Sequence, residues 1–150
     1  MDCIKKVIEY YSPENLVIQG HSMGCYVIQQ TSWLDMGIER YQGTRLKYVY
    51  CAPAIQNSYM ENHVKNYPTF NEEHPRSIHK NLVVAYSRND NVLKYMFRMV
   101  PENWMTGALG YQPTKFLKKN LCTFHDYTGI AMGHSDYKNI PTYYSITLAP

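Results

Sequence analysis

The apolar positions change period along the chain, and each change marks an element. Cys3, Ile4, Val7, Ile8 and Tyr11 recur at the spacing of one helix face, Asp2 stands where an N-cap would, and Ser12-Pro13 ends the run. Leu16 to Gln19 reads as a short apolar strand, and Gly24 to Leu34 as a mostly buried helix closing near Gly37. "RLKYVYCAPA", Arg45 to Ala54, is β-branched and aromatic and is stopped by Pro53, which gives a second strand. Ile55 to Arg76 is polar with two prolines and predicts a loop holding at most a short helix. "NLVVAYSRND", Asn81 to Asp90, is the clearest third strand, with a helix from about Val92 to Met99 after it. Pro101 to Pro113 reads as an irregular excursion. "NLCTFHDYTG", Asn120 to Gly129, reads as a fourth strand, and Asp136 to Tyr144 as a closing helix.

Strands that alternate with helices predict an α/β fold: a mostly parallel sheet of about four strands with helices on both faces. The continuously apolar strands agree, because strands of a parallel sheet are buried on both sides. A chain of 150 residues suits a single domain over 1–150 with a sizeable core.

Composition narrows the function classes. The formal charge is +3, and no five or six Lys or Arg residues cluster, so nothing points to a nucleic-acid surface. Cys3, Cys25, Cys51 and Cys122 form no CxxC pair, which argues against zinc and against a disulfide framework. Cys25 and Cys51 sit in apolar runs and read as small buried thiols. No Gly-rich phosphate loop ends in Lys-Ser or Lys-Thr, and no cofactor is expected. No window approaches 18 apolar residues, so no membrane span is expected, and the charged start "MDCIKKVIEYY" does not read as a signal peptide; the expected location is the cytoplasm. Tyrosine, 15 of 150 residues, is the outlier, and its amphipathic ring suits core edges and grooves.

The chemistry is carried by "NLVIQGHSMG", where an apolar strand meets Gly20-His21-Ser22-Met23-Gly24 and then a helical run. In a strand–turn–helix setting, Gly-x-Ser-x-Gly puts the serine in a strained turn, with small flanking residues for clearance. The hydroxyl of Ser22 is then exposed above the sheet, and the amide of Met23 can donate to an oxyanion. The bland alternative is a glycine-rich turn with no chemistry. A nucleophilic serine needs a base, and the base needs an orienting acid. Asp90 ends the third strand, and His134 follows the fourth in "GIAMGHSDY". His21 lies in the elbow itself, His63, His74 and His79 in the polar stretch, and His125 inside a strand, so they are poorer bases. Asp126 and Asp136 compete with Asp90, which is also placed to cap the helix after it.

Together "GHSMG", "YSRNDNVLKYMF" and "MGHSDYKN" resemble the alpha/beta-hydrolase superfamily, and more narrowly its bacterial and phage-type serine esterases. The resemblance covers nearly the whole chain but only the C-terminal half of the family's fold. It implies Ser22 as nucleophile, Asp90 as acid, His134 as base and a small-molecule ester as substrate, with no metal or cofactor. In the family several strands precede the elbow, and one of their loops supplies a second oxyanion amide; here Met23 supplies one donor and a second is not visible. Without the earlier strands, Leu16 to Gln19 is expected to have an open edge that a partner chain or a second copy would complete. The rival expectation is a binding or structural protein that keeps a truncated hydrolase fold without turnover.

Overall fold

The computed structural model describes residues 2–34, 44–66, 82–99, 107–120 and 123–148. Its centre is a four-stranded sheet in the order β1-β2-β3-β4, formed by Asn15–His21, Arg45–Cys51, Leu82–Tyr86 and Thr123–Asp126. All three pairings are parallel, with Asn15 opposite Arg45, Tyr48 opposite Leu82 and Val83 opposite Thr123. The expected α/β class therefore holds. Every residue of β3 is buried, as a central parallel strand requires, whereas the outer strands β1 and β4 alternate or stay largely exposed.

The period of two along the strands divides the core. Val49, Cys51, Val83 and Ala85 face one cluster, closed by Leu93, Tyr137, Ile140 and Tyr143. Tyr48, Tyr50, Leu82 and Val84 face the other, closed by Cys25, Met60 and Leu117. Helices thus cover both faces. The second face is covered by α2 (Met23–Leu34), α3 (Asn57–Asn66) and α4 (Lys115–Asn120). The first is covered by a π-helical turn at Val92–Met96, a 3₁₀ turn at Asp136–Asn139 and α5 (Pro141–Leu148). On α1 (Asp2–Tyr11), Ile8 is buried but Tyr11 is exposed, so the apolar face read there is only partly covered.

Several expectations need correction. Asn57–Asn66 is a helix of 10 residues where the expectation is a loop holding at most a short helix. Its buried residues, Asn57 and Met60, are too few to leave a visible period, and it is fixed instead by neighbours. The Thr114 hydroxyl lies 2.5 Å from Glu61 Oε1, and the Lys65 ammonium sits 4.9 Å from the centre of the Phe116 ring. The closing helix is interrupted: a 3₁₀ turn ends at Asn139, Ile140 is extended, and α5 begins on Pro141, a residue that suits a first helical turn. Tyrosines serve as core as well as edges, since Tyr48, Tyr50, Tyr86, Tyr127, Tyr137 and Tyr143 are all buried. The parts of the polar stretch and of the excursion at 67–81 and 100–106, including Trp104, lie outside the described residues.

Candidate active site

In a parallel sheet the segments that follow the strands gather at one end. Ser22 follows β1, Asp90 follows β3 and His134 follows β4. Ser22 has φ +55°, in the left-handed region that a non-glycine residue occupies at a cost of about 1–3 kcal/mol. The main chain holds it there. Ser22 N–H donates to the Cys51 carbonyl at 3.0 Å, and the Ser22 carbonyl accepts from Cys25 and Ala54 N–H, each at 3.2 Å.

Gly20 is required by the close approach of β1 to α2. A Cβ there would lie 2.7 Å from Ile28 Cδ1 and 2.8 and 2.9 Å from Cys25 N and Cα. On the other flank the expectation fails: a Cβ on Gly24 would meet nothing within 4 Å. Clearance at the elbow therefore comes from Gly20 alone. Met23 begins α2, and a first helical N–H has no acceptor within its own helix, so this amide is available beside Ser22. No strand precedes β1 among the described residues, and the second oxyanion donor expected from such a strand's loop has no counterpart there.

Asp90 is fully buried, and both its oxygens are engaged. Oδ2 lies 2.6 Å from His134 Nδ1, and Oδ1 accepts from Leu93 N–H at 2.9 Å. The Asp90 carbonyl also accepts from Lys94 N–H at 2.9 Å, so the residue caps the following helical segment while it holds the histidine. A carboxylate only accepts, which puts the hydrogen on Nδ1 and leaves His134 Nε2 as the ring's acceptor. The other aspartates are committed elsewhere. Asp126 accepts from the Tyr86 hydroxyl at 2.8 Å and from Thr128 N–H at 2.9 Å; burial would raise its pKa, but these bonds and Lys118 pull it below the usual value. Asp136 Oδ2 accepts from Gly133 N–H at 2.7 Å, next to His134 in sequence.

The loop that carries His134 is laced to the loop that carries Asp90. The buried Ser87 hydroxyl donates to the Ala131 carbonyl at 2.8 Å, Arg88 N–H donates to Thr128 Oγ1 at 3.0 Å, and the Asn89 amide reaches the Thr128 carbonyl. His21 joins this network from the elbow: its Nε2 lies 2.8 Å from the His134 carbonyl, and the two rings are 4.7 Å apart, centre to centre. The serine's own neighbour thus touches His134. Among the described residues no hydrogen bond joins Ser22 Oγ to the His134 ring.

Of the remaining histidines, His63 contacts the Tyr59 carbonyl on α3 and His125 lies in β4, while His74 and His79 lie outside the described residues. In the sequence His21 is a poor base by its place in the elbow, and Ser87 and Asn89 have no individual task. Their one visible signal was membership of the quoted motifs. Burial pushes the Cys51 thiol up to about 12 and raises Cys25 as well, so both stay protonated and neither offers a rival nucleophile.

Fold and site define the chain as an α/β protein with an all-parallel sheet, bearing a strained serine and a buried aspartate–histidine pair beyond its strand ends. No protein-family model, curated protein or solved structure matches it significantly. Among the described residues no helix is long and apolar enough to cross a membrane, and no three His, Cys, Asp or Glu side chains gather as a metal site.

Proposed function

We propose that this chain is a serine hydrolase of carboxylic esters. The observation that carries the reading is the 2.6 Å contact between buried Asp90 and half-buried His134, whose histidine is touched by the residue preceding a serine at φ +55°. Ser22 Oγ attacks the ester carbonyl and His134 Nε2 takes its proton. Asp90 holds the imidazole in the required tautomer, and the oxyanion faces Met23 N–H. Collapse expels the alcohol with the proton returned by His134. Water, deprotonated by the same nitrogen, then releases the acid from the acyl-enzyme. Nucleophile and base are often loosely placed until substrate binds, and the scheme requires the hydrogen bond between Ser22 Oγ and His134 Nε2 to form then. Protonated, unpaired Cys25 and Cys51 fit the cytoplasm as the compartment. A fluorophosphonate probe should label Ser22, with labelling lost on heating and in Ser22→Ala; labelling that persists in Ser22→Ala would remove the reading.

His21 acts in this scheme as a positioning residue, donating from Nε2 to the His134 carbonyl. His21→Ala should lower kcat about tenfold with KM unchanged, the value of one hydrogen bond that holds the base in place. His21→Gln, which keeps a donor, should recover most of that loss. Equal rates for all three proteins would deny His21 the role.

The second reading, a sheet whose open edge a partner chain or a second copy completes, is favoured by the outer edge of β1, which carries no further strand among the described residues. Val17 on that strand and Tyr10 and Tyr11 just before it are exposed. Association there should make the thermal midpoint rise with protein concentration. If a complementing chain also brings the second oxyanion donor, turnover should rise by about 10²–10³ on its addition. A midpoint independent of dilution, with full activity of the single chain, would leave the first reading alone.

A further inference from the structure

Beside Ser22 lies a cavity of about 600 Å³, within the size range of small-molecule sites. Its walls come from three places that β1, β2 and β3 bring together: Met23 and Tyr26 on α2, Ile55 and Tyr59 after β2, and Val92 and Phe97 after β3. Among the described residues no Asp, Glu, Lys, Arg or His side chain lines it. The polar atoms of these residues are neutral, and one of them, the Tyr59 hydroxyl, is bonded to the Gln30 amide. The cavity opens to solvent past Met23, Tyr26 and Val92, so a charged group entering would lose part of its hydration without gaining a counter-charge from these walls, whereas each methylene buried against them would be favourable.

Position decides which half of an ester this cavity takes. The leaving alcohol must face His134, which returns its proton, and His134 is not in the cavity wall. Ser22 and Met23 are in the wall, and in the hydrolase reading the ester's carbonyl carbon would meet Ser22 Oγ and its oxygen the Met23 N–H. The substituent on the acyl side is therefore the one directed into the cavity. We propose that the cavity is an acyl-chain site selecting esters of uncharged, medium-length aliphatic acids against acids with a charged end. The assignment of the acyl side rests on the hydrolase reading above; the apolar selectivity of the cavity does not.

Binding and reactivity test the two separately. Ser22→Ala protein, which cannot turn substrate over, is titrated calorimetrically with methyl butanoate, methyl hexanoate and methyl octanoate, and with monomethyl adipate as the charged counterpart of the hexanoate. Affinity should rise about threefold per added methylene, and monomethyl adipate should bind at least about tenfold more weakly than methyl hexanoate. Placing a carboxylate in the wall by Val92→Asp or Tyr26→Asp, at positions 38 % exposed and with folding checked by circular dichroism, should flatten the chain-length series. Affinity that ignores chain length, or a carboxylate end accepted as well as a methyl, overturns the proposal even if Ser22 reacts with a fluorophosphonate. A chain-length series that holds while Ser22 fails to react keeps the apolar site and removes the hydrolase reading together with the acyl assignment.

Discussion

Asp90→Asn should lower the turnover of a simple ester by about 10⁴-fold while the protein stays folded. The two parts of that expectation come from the two oxygens of one side chain. Oδ1 accepts from Leu93 N–H, and asparagine caps a helix about as well as aspartate, so the segment at Val92–Met96 keeps its start. Oδ2 meets His134 Nδ1 at 2.6 Å, and there an amide cannot stabilise the imidazolium or enforce the tautomer that leaves Nε2 free to accept. Ester turnover and circular dichroism on the same preparations read both parts. Asp126→Asn is the control. Its carboxylate is spent on Tyr86 and Thr128, so its effect on turnover should be small. A nearly silent Asp90→Asn would reduce Asp90 to a cap and leave His134 without an acid.

Gly20→Ala and Gly24→Ala should move in opposite directions although the two glycines flank the same serine. An added methyl at Gly20 would stand 2.8 and 2.9 Å from backbone atoms of Cys25, which cannot swing aside as a side-chain tip can. Overpacking of this kind costs about 1–3 kcal/mol. It would also push α2 away from β1, displacing Ser22 and Met23. An error of about 1 Å in a reacting group can cost on the order of 10² in rate, so turnover should fall at least that far. At Gly24 the methyl meets open space inside α2, and replacing a helical glycine by alanine should raise stability by about 0.5–1 kcal/mol. Thermal midpoints and ester turnover of the two variants, measured side by side, check both signs. Equal behaviour would mean that β1 and α2 do not meet as closely as the structure has them.

The sequence by itself determined the elements whose residues carry their own explanation. Leu82–Tyr86 is apolar throughout because both faces of a central strand are covered, and that run is visible without a fold. The elbow is equally local, since strand, serine and helix are adjacent in the chain and Gly20 leaves a mark in the sequence. The parallel sheet followed from the alternation of such segments, and the order Ser22, Asp90, His134 placed each residue after a strand. Elements with few buried residues were not legible. α3 buries only Asn57 and Met60, and α4 is a six-residue helix held against it, so both depend on contacts made between distant segments. The order of the elements favours Asp90 among the aspartates, but spacing does not show which of them reaches His134. Asp90, Asp126 and Asp136 all stand near strand ends or near His134, and what separates them is which oxygen reaches which hydrogen in space. The contact of His21 with the His134 carbonyl and the uncharged cavity beside Ser22 arise where segments far apart in sequence converge. Only the tertiary structure could decide them, because hydrogen bonds and desolvation act over ångströms between atoms and leave no period along the chain.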